Sequence, residues 1–239
     1  QWAGAAIAGP KSRELLSKLF PNKDISNEGL PFMGYMEADL FGIPARIFRI
    51  SFSGELAYEI NVASNFGTFM WEKTIEQGQQ FNIQPYGTEA LSNLRIEMGH
   101  VAGPELDGRT IPYDVSLEGL VSKKKDFVGK RSLNRVAFTS STRQRVVGLV
   151  PIDKKTIIPE GSHLVKDAKA KLPNPKLGHI SSSCWSVEYN NPFALAILQD
   201  GKNMIGEKLY AFSPLQNKTI PVEIVSSHYV DPKGERVRS

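Results

Sequence analysis

A chain of 239 residues, 41% hydrophobic and 23% charged, has the composition of a folded globular protein and room for one large domain or two small ones. The net charge of +4 is too mild to specify a nucleic-acid partner, and no apolar run approaches the roughly 18 residues that span a bilayer. The one cysteine, Cys184, excludes an internal disulfide and a cysteine-rich zinc site, and fits a reducing compartment. The sequence opens at Gln1 with no secretory leader, and residues 1–10 read like the middle of a fold. The expectation is a chain that starts inside a longer polypeptide.

Residues 2–8 read as a short buried strand, broken by Gly9-Pro10, with Pro10 near the start of a helix whose Leu15, Leu16, Leu19 and Phe20 share one face. Residues 21–31 read as loop. Residues 32–40 and 43–50 form a strand pair, with Phe41-Gly42 at the turn. The small-residue loop SFSG (51–54) leads into a strand over 56–62. There Leu56, Tyr58, Ile60 and Val62 share one face, and Ala57, Glu59 and Asn61 the other. Ser64 is expected to cap a helix carrying Phe66, Phe69, Met70 and Lys73 at helical spacing. A second helix starts near Thr88, with Leu91, Leu94 and Met98 on its apolar face. Strands alternate with helices here, an α+β pattern. Residues 99–125 are turn-rich, 123–131 (KKKDFVGKR) is the main charge run, and 137–143 reads as a linker. Beyond it, short strands over 146–150, 177–183, 193–199, 208–211 and 218–225 suggest a small all-β barrel.

Few residues carry chemistry on spacing alone. Glu59 is either a solvent-facing carboxylate on a half-exposed strand, or a carboxylate in a pocket. In a pocket it would accept two hydrogen bonds from a flat heterocycle with adjacent N–H donors. Arg95 and Glu97 are either a structural ion pair at a helix end or groups facing a ligand. Lys123, Lys124 and Lys125 form a solvated face or a docking patch for an anion or acidic surface. One aromatic, Phe127, is too few for a nucleic-acid stacking groove. His100, His163, His179 and His228 lack metal-ligand spacing, so no metal is expected. Cys184, beside Trp185, reads as a small core residue. The glycine-rich loops that bind dinucleotides and nucleoside triphosphates are absent.

The ordered segments IAGPKSRELL (7–16), FRISFSGELAYEINV (48–62), PYGTEALSNLRIEMGH (85–100) and SKKKDFVGKRSL (122–133) resemble the folate-binding aminomethyltransferase family, typified by the T-protein of the glycine cleavage system. RVVGLV (145–150), LGHISSSCWS (177–186) and GEKLYAF (206–212) are similar to that family's C-terminal barrel. The implied fold is α+β: an aminomethyltransferase-like folate-binding domain over 1–138, lacking its N-terminal part, then a β-barrel domain over 139–239. Within the family, SFSGELAYEINV, PYGTE and VSKKKDFVGKRSL resemble the branch of sarcosine oxidase alpha subunits, with dimethylglycine dehydrogenases the nearest competitor.

The resemblance implies an oxidoreductase assembly in the cytoplasm. A flavin on a partner (beta) subunit, not on this chain, oxidises an N-methyl amine to an imine. Tetrahydrofolate bound here captures the one-carbon unit as 5,10-methylenetetrahydrofolate. The pterin-holding carboxylate falls on Glu59, with Glu55 in the preceding turn and Phe52 where the T-protein has a tyrosine. Leu91 and Ser92 stand where the T-protein has an Arg-Asp pair whose arginine helps bind folate. The family's catalytic aspartate falls before Gln1, so no catalytic residue is assigned here. Lys123, Lys124 and Lys125 become a rim for folate polyglutamate tails or a subunit-docking patch. The competing readings are a T-protein or dimethylglycine dehydrogenase-like aminomethyltransferase, a non-catalytic scaffold for the flavin subunit, and, third, a folate-dependent RNA-modification helper. No nucleic-acid or membrane partner is expected.

Overall fold

The chain begins with a four-stranded antiparallel sheet built from β1 (Trp2–Ala8), β2 (Tyr35–Leu40), β3 (Ile43–Phe48) and β4 (Ala57–Ala63), in the order β1-β4-β3-β2. The structure is a computed structural model and describes residues 1–169, 173 and 175–239. Its chain divides into two compact units, 1–91 with 231–239 and 92–230. The expected boundary at 138/139 falls inside the second.

In the first unit, period-two alternation sends Tyr58, Ile60 and Val62 of β4 into a core with Ile7, Leu40, Ile47 and Met70. The helix α1 (Ser12–Leu19) buries Leu15, Leu16 and Leu19, followed by Phe20, against the same core. The β2–β3 hairpin turns at Phe41 and Gly42, both at positive φ (51° and 91°). That backbone twist matches the twist of the strands. The helix α2 (Gly67–Gly78) buries Met70 and Thr74. Ser64 does not cap it: a 3₁₀ turn over Ser64–Phe66 intervenes, and no side chain bonds either helix start.

The helix α3 (Thr88–Glu97) departs from its expected pattern. Leu91, Leu94 and Met98 are half-buried, whereas Arg95, Ile96 and Glu97 are buried. Two helical turns follow, α4 (Lys130–Leu133) and α5 (Val136–Thr139), so the expected linker starts as helix. In the second unit a closed barrel runs β10-β5-β8-β7-β6-β9. Its strands are β5 (Gln144–Pro151), β6 (His163–Val165), β7 (Gly178–Ser186), β8 (Asn191–Gln199), β9 (Lys208–Ser213) and β10 (Lys218–Val225). β8 is buried on both faces: Ala194, Ala196 and Leu198 join one apolar cluster, Phe193, Leu195 and Ile197 another. β7 carries a bulge between Ile180 and Ser182. No helix among the described residues is long and apolar enough to cross a membrane.

Candidate functional site

The two faces of β4 differ in kind. One is core. The other carries Glu59 and Asn61, both half-buried. The register sets Glu59 between Ala6 of β1 and Phe48 of β3, and Phe48 opposite Tyr35 of β2. The row across the sheet is therefore Ala6, Glu59, Phe48, Tyr35. The Tyr35 and Phe48 rings pack at 5.1 Å, and the Tyr35 hydroxyl donates to Glu37 (2.8 Å). Further along, the Arg46 guanidinium sits 4.3 Å over the Trp2 ring. The Glu59 carboxylate has no hydrogen-bond or ion-pair partner among the described residues. A half-buried carboxylate beside an aromatic pair and a small residue can accept N–H donors.

Phe52 and Glu55 lie in the segment that leads into β4. The turn before β4 is fixed by Gly54 (φ 84°), whose N–H donates to Ser51 Oγ at 3.0 Å. Glu55 accepts from Arg236 at 2.9 Å. That arginine is delivered by the tail 231–239, whose last main-chain oxygen, on Ser239, accepts from both Arg13 (2.6 Å) and the buried Arg49 (2.8 Å). Phe52 is 41% exposed. A concavity of about 740 Å³ runs along β1, lined by Gly4 and Ala6 and, beyond them, by Trp71, Phe81, Tyr86 and Leu91 among others. Glu59, Glu55 and Phe52 do not line it. Leu91, at the position the resemblance gives to an arginine, does.

In the second unit Arg95 is structural, with an unexpected partner. Residues two apart on a helix do not face each other. Arg95 pairs not with Glu97 but with Glu105 (2.9 Å), and donates to Ser182 Oγ (2.8 Å), which in turn donates to Glu105 (2.6 Å). The Ala102 N–H closes the set at 2.9 Å. Glu105 stands in the turn-rich segment after α3, where no sequence spacing marks it. Lys123, Lys124 and Lys125 are exposed, and the N–H groups of Lys124 and Lys125 donate to Ser122 Oγ. No group of three or more metal-binding side chains gathers among the described residues.

Cys184 is buried as expected, and burial followed by the nearby Glu97 charge pushes its thiol up to about 12. Almost no thiolate then exists at pH 8. The folded protein should resist iodoacetamide at that pH and react promptly in denaturant; rapid labelling of the native chain would contradict this burial.

An α+β unit ending in a closed six-stranded barrel is the aminomethyltransferase architecture. A solved aminomethyltransferase T of the glycine cleavage system from Bartonella henselae superposes with a TM-score of 0.78 at 21% identity, over 97% of this chain and 60% of that one. Residues 1–125 match the GCVT N-terminal domain and 144–231 the glycine cleavage T-protein C-terminal barrel domain. The chain belongs to the glycine cleavage T-protein family. It is 41% identical, over 99% of its length, to sarcosine oxidase subunit alpha of Rhizobium meliloti, and 28% identical over 97% to mitochondrial dimethylglycine dehydrogenase of Mus musculus. It spans about a quarter of each of these relatives, 24% and 26%.

Proposed function

We propose that this chain is the tetrahydrofolate-binding, one-carbon-transfer region of a sarcosine oxidase, in the C-terminal part of its alpha subunit. The observation that carries the reading is Glu59: an unpaired, half-buried carboxylate on the open sheet face, in a chain that matches sarcosine oxidase alpha subunits over 99% of its own length and about a quarter of theirs. The residues present fit the ligand. Ala6 keeps the space beside Glu59 low, Phe48 supplies an apolar wall, and the carboxylate accepts from the amino and ring N–H groups of a pterin. Bound tetrahydrofolate would supply the nitrogens that take up the one-carbon unit released by demethylation. This chain's part is to orient the ring through Glu59, pack it with Phe52, and hold the turn through Glu55 and Arg236. The imine would form where a flavin on a partner subunit takes two electrons from the N-methyl amine, in a cytoplasmic complex. Lys123, Lys124 and Lys125 would attract polyglutamate tails. Residues 1–138 would serve the folate and 139–239 would form the barrel domain.

Replacing the carboxylate leaves bound N–H donors poorly matched, a cost of about 1–3 kcal/mol. Glu59→Gln should therefore weaken tetrahydrofolate binding roughly 5- to 150-fold in a calorimetric titration, with the melting temperature unchanged. An unchanged Kd removes Glu59 from the site.

A scaffold role is favoured by Leu91, an apolar residue lining the concavity along β1 at the position the resemblance gives to a folate-binding arginine. Under it, neutralising Lys123, Lys124 and Lys125 would abolish assembly with the flavin subunit and leave folate binding intact.

A further inference from the structure

Glu59 shares its face with a second unpaired polar side chain. Asn61 lies two residues along β4, and the register sets Gly4 beside it on β1 and Arg46 on β3. The Asn61 amide leans across Gly4: a Cβ added at Gly4 would come within 2.8 Å of Asn61 Oδ1. Asn61 is half-buried, and its side-chain amide makes no hydrogen bond with any described residue. Its neighbour Arg46 is drawn to the Trp2 ring on one side and Glu37 (4.0 Å) on the other, which leaves the amide without a charged partner.

Two rows of the face can thus be read as one surface. Small residues, Gly4 and Ala6, form a low shelf on β1. Two hydrogen-bonding groups, Glu59 and Asn61, stand in line on β4, and Phe48 with Tyr35 forms the wall behind them. A carboxylate accepts only, whereas an amide also donates. A ligand edge complementary to this pair presents N–H donors followed by a carbonyl oxygen.

We infer that Asn61 is the second polar anchor of the ligand face, donating through Nδ2 to the ring carbonyl next to the N–H edge that Glu59 accepts, and that Gly4 is small so that Asn61 can take this position. The inference rests on the folate reading and adds a residue that sets which ring edge is accepted. It makes Asn61 sensitive to charge: an aspartate there turns an acceptor toward an acceptor.

The test is calorimetric titration of the protein with tetrahydrofolate, comparing Asn61→Ala, Asn61→Asp, Gly4→Ala and the double variant Gly4→Ala/Asn61→Ala. Melting curves report folding of each. Loss of one hydrogen bond predicts a Kd about tenfold weaker for Asn61→Ala. Asn61→Asp should be weaker than Asn61→Ala. Gly4→Ala, by pushing the amide aside, should weaken binding in the wild-type background and have no effect once Asn61 is alanine. An unchanged Kd in Asn61→Ala, an aspartate that binds better than the alanine, or a Gly4→Ala effect that persists without Asn61 overturns the inference. If those outcomes occur while Glu59→Gln still loses ligand, the folate reading stands alone. Absence of saturable binding to the wild-type protein overturns both.

Discussion

Glu105→Ala should destabilise the barrel-bearing unit by about 3–5 kcal/mol, a fall in melting temperature of roughly 10 °C or more. The Glu105 side chain is fully buried and Arg95 nearly so, and the pair is closed by Ser182 and the Ala102 N–H. Removing the carboxylate leaves a buried guanidinium whose nearest remaining acceptors are a hydroxyl and a distant carbonyl. Replacing both partners with methionine should cost less than either single change, because no charge is then left unpaired. The pH dependence carries a definite sign. Burial pushes the Glu105 carboxyl up, but the Ser182 hydroxyl, the Ala102 N–H, Ser181 and Arg95 together bring it below the ordinary carboxylate value. The folded state thus holds this proton less tightly than the unfolded state. The stabilisation is complete above the ordinary carboxylate range and is lost as pH falls through the depressed value. The stability gap between wild type and Glu105→Ala should narrow on acidification. A loss under 1 kcal/mol at neutral pH, by thermal denaturation followed with circular dichroism, would make the triad dispensable.

Sequence pattern reveals elements wherever one period dominates. The leucines of α1, the Phe41-Gly42 turn and the alternation of β4 all lie within a few residues of their causes, and each forms where expected. The apolar run of β8 also reads as a strand, because a strand buried on both sides is hydrophobic at every position. β6 escapes because three residues, His163–Val165, cannot display a period. The candidate site is legible only in part. Alternation puts Glu59 and Asn61 on one face, but which strands flank them is a matter of sheet order. Ala6 and Phe48 come from 53 and 11 residues away along the chain. The ionic partners are less legible still. Arg95 finds Glu105 across a turn rather than Glu97 on its own helix, and Glu55 is reached by Arg236 from 181 residues away. Charges choose partners by final geometry, and no local period encodes that choice.

Phe193→Ala should cost about 5 kcal/mol, the upper end for an aromatic truncation. The ring is fully buried, lies 4.4 Å from the Tyr229 ring with planes 5° apart, and belongs to the cluster with Val146, Cys184 and Leu195. It also covers Gly148: a Cβ there would come within 2.7 Å of Phe193 Cε2. The truncation therefore opens a void with a glycine on one wall, and a glycine has no side chain to move into it. Collapse is the usual relief for such a cavity, so its absence keeps the cost high. The obvious repair fails for a separate reason. Although Gly148→Ala would direct a methyl toward the void, the same Cβ would land on the Ser226 carbonyl oxygen, which is backbone and cannot swing aside. The double variant Phe193→Ala/Gly148→Ala should consequently be no more stable than Phe193→Ala, whereas Phe193→Leu, which refills most of the volume from the original side, should recover a large part of the loss. Equilibrium denaturation of the three variants decides this. Rescue by the alanine at 148 would mean that the β5 backbone yields, and that the closeness of Gly148 to Ser226 does not constrain the barrel.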